Sequence, residues 1–304
     1  MSISRRKFLQ QTALLTAGSS LVSSSLFARP ANSPLVGIQL YSVRADMMAN
    51  PVATLKALVS MGYKYVEHAN YVKRQFYGYN AKDFKNLLSD LGLEMRSGHT
   101  VMGKEHWNNS KNDFSDSWKY TIEDAATVGQ EFVISPWLDN SMRKTEDDLK
   151  RYMNVFNECG RLCQKWNMKF GYHNHDFEFT EKMGKGTLYE AILEYTDPEL
   201  VIQQLDTGNM HGTGAEAFSI VKKFPGRFIS LHIKDEIAAA GKGEMGHNFE
   251  STLLGVGVVP VKDILAYCNE HGTRHIIIEQ ESYQQKTPLE SCKINIATLK
   301  SWGY

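Results

Sequence analysis

Four stretches in the second half of the sequence end apolar runs in side chains that bind metals or carry protons. They are Tyr172-His173-Asn174-His175-Asp176, Gln203-Gln204-Leu205-Asp206-Thr207-Gly208-Asn209, Leu231-His232-Ile233-Lys234-Asp235 and Ile278-Glu279-Gln280-Glu281. In order they offer imidazole, carboxylate, imidazole and carboxylate. Charged groups brought together inside a protein are costly unless paired or bound to a cation. His173, Asp206, His232 and Glu279 are therefore expected to hold one divalent ion. A mixed nitrogen and oxygen set suits Mn, Zn, Co or Fe better than Ca, which favours oxygen alone; Mg stays open, and the identity of the metal is not fixed by the residues. A lone histidine at such a place is ordinarily a hydrogen-bonded structural residue, so the expectation rests on the set of four.

A second tier follows three of the four ligands by two residues: His175 after His173, Lys234 after His232, Glu281 after Glu279. Two residues return an extended chain to the same face about 7 Å further on. His175 is then placed as general base, with Lys234 or Glu281 positioning or protonating a substrate. A neutral imidazole beside a cation stays available as a base at neutral pH. Two other readings remain open: His175 as the metal ligand in place of His173, and His175 as a loop hydrogen-bonding group.

The elements that must position these groups are eight short apolar runs, at residues 35–40, 63–67, 93–99, 132–135, 168–175, 200–206, 227–233 and 275–281. Helix signatures separate them. Asn50-Pro51 is a cap with proline at the first helical position, followed by Leu55, Leu58 and Val59 and a stop at Gly62. Asn80 starts a helix that ends at Gly92, and Thr145 precedes a long one carrying Leu149, Met153, Phe156, Cys163 and Trp166. Strands alternating with helices imply a parallel sheet, and eight units favour closure into an α/β (β/α)8 barrel over residues 34–304. No glycine-rich phosphate loop follows the first run, against a dinucleotide fold. Such barrels place their sites at the C-terminal ends of the strands. Gln39, Tyr41, Glu67, His99, Trp137 and Asn209 stand at or beside those ends and are expected to bind substrate, the aromatics suiting a sugar ring; His68 ends the second run as well. Tyr41 and Trp137 fit loop packing equally well. The glycine-rich stretch 238–257 fits a lid or pocket wall as well as a passive insertion.

Residues 1–33 contain Arg5, Arg6, Lys7 and Arg29 and no acid. Ser4-Arg5-Arg6-Lys7-Phe8-Leu9-Gln10 resembles the twin-arginine export motif, and a modest apolar stretch too short to span a membrane follows it. The expectation is an export signal over 1–33, a periplasmic location and no stable membrane anchor. Without those four cations the 34 Lys and Arg become 30, against 34 Asp and Glu. A mildly acidic body offers nucleic acid no basic face. The four cysteines lack zinc-site spacing and are expected as buried thiols.

The run ends resemble the xylose isomerase-like TIM barrel superfamily, often labelled sugar phosphate isomerase/epimerase, from about residue 35 onward. The resemblance is carried by Gly37-Ile38-Gln39-Leu40-Tyr41-Ser42, Gly62-Tyr63-Lys64-Tyr65-Val66-Glu67, Tyr172 to Phe179, Leu205 to Asn209, His232 to Asp235 and Ile278 to Glu281. It implies a metal tetrad of Glu, Asp, His and Glu on the last four strands. Asp206, His232 and Glu279 match the last three, and His173 stands where the first glutamate is usual. That departure disfavours a plain two-glutamate epimerase. The Tyr-His-Asn-His variant is similar to exported members acting on 3-keto-glycosides. The resemblance thus implies a lyase that removes a proton beside a ketone and expels the glycosidic group. A sugar isomerase or epimerase is the alternative, and a periplasmic sugar-binding protein the non-enzymatic one. Endonuclease IV-like chemistry on the same fold needs more metal ligands and a basic surface. A small carbohydrate is the partner expected; oligomeric state is not legible.

Overall fold

A computed structural model describes residues 34–304, and the expected export segment lies outside the described residues. Eight parallel strands form a closed barrel: β1 (Leu35–Gln39), β2 (Tyr65–His68), β3 (Glu94–His99), β4 (Phe132–Ser135), β5 (Lys169–His173), β6 (Val201–Asp206), β7 (Ser230–Ile233) and β8 (His275–Ile278). Each pairs with its sequence neighbours, and β1 closes on β8 with Leu35 opposite His275. A helix follows each strand: α1 (Pro51–Met61), α2 (Ala81–Asp90), α3 (Asp116–Val128), α4 (Glu146–Gln164), α5 (Leu188–Tyr195), α6 (Ala217–Lys223), α7 (Val261–Glu270) and α8 (Pro288–Ser301). The sequence signals for their ends hold. The Asn50, Asn80 and Thr145 side chains accept from the backbone N–H three residues on, and α1 stops at Gly62 with φ 101°.

Strand alternation divides the packing. Outward side chains such as Ile38, Val66, Phe170 and Leu231 join helix residues such as Leu58, Phe84, Trp118 and Phe156 in one continuous core. Inward side chains form a separate, smaller cluster of Phe132, Ile134 and Ile202 with Ile229 beside it, the floor of the bore. Gly171 leaves the floor its room: a Cβ there would lie 2.9 Å from Ile202 and 3.2 Å from Ile134. All four cysteines are buried free thiols. Among the described residues no helix is long and apolar enough to cross a membrane.

Two strands stop two or more residues before their apolar runs end. β5 stops at His173 because the Asn174 side chain takes over from the backbone ladder. Its Oδ1 accepts from Asp206 N (3.0 Å) and its Nδ2 donates to Asp206 O (3.3 Å). β8 stops at Ile278, where serine hydroxyls do the same: Ser42 Oγ accepts from Gln280 N, and Ser251 Oγ from the N–H groups of Glu281 and Ser282. His175, Glu279 and Glu281 therefore sit on the irregular chain just past the strand ends. The stretch 238–257 is partly ordered as a hairpin, Asp235–Ala238 pairing antiparallel with Phe249–Thr252. Asp235 ties the far end of that stretch by accepting from the N–H groups of Gly255, Gly257 and Val259.

Candidate metal centre

The strand ends bring four of the expected groups together. His173, Asp206, His232 and Glu279 are buried, and each offers a donor atom within 4.8 Å of the others. Asp206 is held twice over. It ends β6 and caps the short helix Thr207–His211, its Oδ1 accepting from Asn209 N at 2.7 Å. Its other oxygen, Oδ2, is buried and finds no hydrogen-bond partner among the described residues. Burial pushes the Asp206 carboxyl up to about 7, Lys234 notwithstanding. A buried carboxylate oxygen without a donor, facing two imidazoles and a second carboxylate, has the chemistry of a cation site, and the four residues fit a divalent ion.

His232 lies between two carboxylates, with Nδ1 3.0 Å from Glu279 Oε2 and Nε2 2.5 Å from Glu67 Oε1. Burial alone would lower this imidazole; Glu67 and Glu279 outweigh it and hold it up at about 10. Glu279 itself is held well below the usual carboxylate range, Lys234 and His232 overcoming the opposite pull of burial. Burial, and then His232 and His99, keep His173 far below the ordinary imidazole value.

The second tier also assembles. The His175 ring centre is 5.3 Å from that of His173, and burial pushes its imidazole down to about 4, helped by Lys234. A buried carboxylate that sequence reasoning missed, Glu178, fixes this turn by accepting from His175 N (2.9 Å) and from the Tyr172 hydroxyl (2.5 Å). Lys234 is fully buried. Its Nζ donates to Glu281 Oε1 (2.6 Å) and Asn209 Oδ1 (3.0 Å) and lies 3.7 Å from Asp206 and 3.6 Å from Glu279. Glu244, carried by the hairpin's connecting segment and also missed, comes within 4.0 Å of the same nitrogen. His247 on that segment meets Asp176 at 3.0 Å, joining the hairpin to the turn after β5.

The remaining expected residues divide. Trp137 is 43% exposed and stands edge-on to His175 at 5.4 Å, on the wall beside the tetrad. His99 packs against both ligand imidazoles, with ring centres 4.7 Å from His173 and 5.0 Å from His232. Gln39 and Glu67 are wholly buried, Gln39 Nε2 donating to Glu67 Oε1 at 2.9 Å. Tyr41 is exposed and lies under the Arg44 guanidinium. His68 turns from the bore toward Phe76. Sequence reasoning gave no role to Gln204, which reaches Glu67 from across the barrel, or to Ser97, which meets it from the adjacent strand. Alternation along a strand foretells that Gln204 points inward; only closure of the barrel shows what it meets.

A family profile described as xylose isomerase-like TIM barrel matches residues 55–302. The chain belongs to that family. Among curated proteins it is similar to inosose dehydratase of Clostridium tetani (strain Massachusetts / E88), 29% identical over 161 residues, which are 48% of this chain and 52% of that protein. The chain thus spans about half the length of the curated relatives it matches. Among solved structures, a sugar phosphate isomerase/epimerase from Parabacteroides distasonis ATCC 8503 superposes with a TM-score of 0.76 at 24% identity, covering 92% of this chain and 97% of that one. The IOLI protein, solved with a zinc atom, superposes with a TM-score of 0.65 at 13% identity over 88% of this chain and 97% of that one. These superpositions extend the likeness of fold over nearly all the described residues.

Proposed function

We propose that this protein is an exported, metal-dependent carbohydrate lyase that acts beside a ketone, with a 3-keto-glycoside as substrate. The observation that carries the proposal is the tetrad, in which the buried Asp206 Oδ2 has no hydrogen-bond partner among the described residues and only the Lys234 ammonium (3.7 Å) and His232 Nδ1 (3.9 Å) near it. His173, Asp206, His232 and Glu279 would hold a divalent ion, which would supply Lewis-acid chemistry beside the substrate's ketone. His175 removes the proton from the carbon between the ketone and the anomeric carbon. That electron pair forms the new carbon–carbon double bond as the anomeric bond to the glycosidic oxygen breaks. Lys234, held by Asn209 and Glu281, delivers a proton to the departing oxygen. Trp137 offers the sugar an apolar face beside the base. A dehydratase eliminates water, so the curated relatives support elimination as the reaction class.

The second reading, isomerisation or epimerisation, returns the proton to the substrate. It is supported by the likeness to the Parabacteroides sugar phosphate isomerase/epimerase and disfavoured by the histidine at position 173. Incubation of metal-loaded protein with a 3-keto-glycoside and, separately, a ketose, with products read by mass, distinguishes them. We expect free aglycone and an unsaturated keto sugar from the glycoside. Intact glycoside with an isomerised ketose supports the second reading, and no change in either sugar supports a binding protein. Export rests on residues 1–33. Changing Arg5 and Arg6 to lysine is expected to hold the protein in the cytoplasm, and normal periplasmic amounts of that variant would remove this part of the proposal.

A further inference from the structure

Glu67 lies at the centre of the buried polar layer. Its Oε2 accepts from Ser97 Oγ and from Gln204 Nε2 (2.9 Å). Its Oε1 accepts from Gln39 Nε2 (2.9 Å) and faces His232 Nε2 at 2.5 Å and His99 Nε2 at 3.2 Å. The residue is completely buried. Five groups from four different strands thus converge on one carboxylate, and none of its surface is left for a substrate.

We infer that Glu67 is a positioning residue that sets the proton pattern of both ligand imidazoles. The chain of inference is chemical. An ionised carboxylate only accepts. His232 therefore carries a proton on Nε2, which leaves Nδ1, the nitrogen facing Glu279 and Asp206, as its metal-binding atom. The same rule fixes the Gln204 amide. Its nitrogen must face Glu67 Oε2 and also donates to Ser230 Oγ at 3.0 Å, so its oxygen turns the other way. That oxygen lies 3.1 Å from His173 Nδ1 and 2.7 Å from His99 Nε2, and it only accepts. His173 therefore carries its proton on Nδ1 and offers Nε2 to the metal. One carboxylate on β2, itself outside the tetrad, determines which nitrogen each of two histidines on β5 and β7 presents. Partners behind a ligand histidine orient its ring and raise its basicity, and their loss typically costs about 10- to 100-fold in metal affinity.

The proposal rests on the tetrad but not on the reaction assigned to it, so the test reads metal and protons rather than turnover. In zinc-loaded protein with 15N-labelled histidine, long-range NMR couplings are expected to place the proton of His232 on Nε2 and that of His173 on Nδ1. The opposite assignment at either ring overturns the inference without any variant. Glu67→Gln is expected to weaken zinc binding about 10- to 100-fold, read by competition with a chelator, and to shift the visible absorption bands of the cobalt-loaded form. Ser97→Ala removes a buried hydrogen bond from the same layer but leaves both chains through Glu67 intact, and is expected to keep affinity within about 3-fold. A folded Glu67→Gln protein with unchanged affinity and spectrum, or an equal loss in both variants, refutes the positioning role. Failure of the lyase assay with this proton pattern intact would count against the reaction alone.

Discussion

Two levels of the same bore, one strand repeat apart, are built on opposite principles. At the floor, Phe132, Ile134 and Ile202 fill the space with apolar volume, and Gly171 is there because nothing larger fits. Above them Gln39, Glu67, Ser97, His173, Gln204 and His232 exchange hydrogen bonds with one another, and the chain just past the last strand adds Glu279. The floor is specified by shape, and a change there is felt as a cavity. The upper level is specified by proton direction: each donor needs an acceptor of the right kind, and a change there is felt as a misdirected proton or an unpaired charge. A barrel can therefore carry a demanding polar site above an apolar base, because the two levels share strands but are filled by different kinds of side chain.

That separation can be broken most forcefully in the upper level. Asp206→Asn keeps an oxygen to cap the short helix but removes the carboxylate. We expect loss of stoichiometric metal and of activity with the barrel still folded, read by metal analysis, turnover and circular dichroism. His175→Ala should differ in kind, keeping its metal while turnover falls about 100- to 10,000-fold. If His175→Ala loses its metal as well, His175 is a ligand and His173 belongs to the packing. At the floor, Ile202→Ala is expected to cost about 2–5 kcal/mol in unfolding free energy, as buried Ile to Ala changes do. Its metal affinity should stay within a few-fold of the parent. A large drop in affinity from this substitution would mean that the two levels are mechanically joined and the contrast between them is false.

The eight runs and the helix starts at Asn50, Asn80 and Thr145 were legible in the sequence because each is local: an apolar run, a glycine stop or a capping side chain announces itself within a few residues. The tetrad was legible for a related reason, since ligand types recur at the ends of four successive runs. What was not legible depends on closure. Glu67 and Gln204 are 137 residues apart and meet across the bore, and no pattern within β2 or β6 names the partner. The runs at 168–175 and 275–281 overreach their strands because Asn174, Ser42 and Ser251 substitute side-chain hydrogen bonds for the ladder, which hydrophobic periodicity does not register. Glycines and polar residues hid the hairpin after β7, since its pairing is made by backbone groups.

The pairing of β1 with β8 ties the first described strand to the last, Leu35 beside His275 and Ile38 beside Ile278. Synthesis releases β1 long before its partner exists. Until then one edge of the growing sheet presents bare N–H and C=O groups, the kind of edge that pairs with other chains. Contacts this distant in sequence are entropically expensive to form early, which makes folding slow and concentrates the hazard of aggregation in the interval before β8 arrives. The Tyr63 hydroxyl, which donates to the carbonyl of Cys292, and the Tyr283 hydroxyl, which donates to that of Ser42, span the same gap from opposite sides. They are latches that can engage only once Tyr283 and Cys292 have been made, so they fasten the barrel only after its eighth strand is in place.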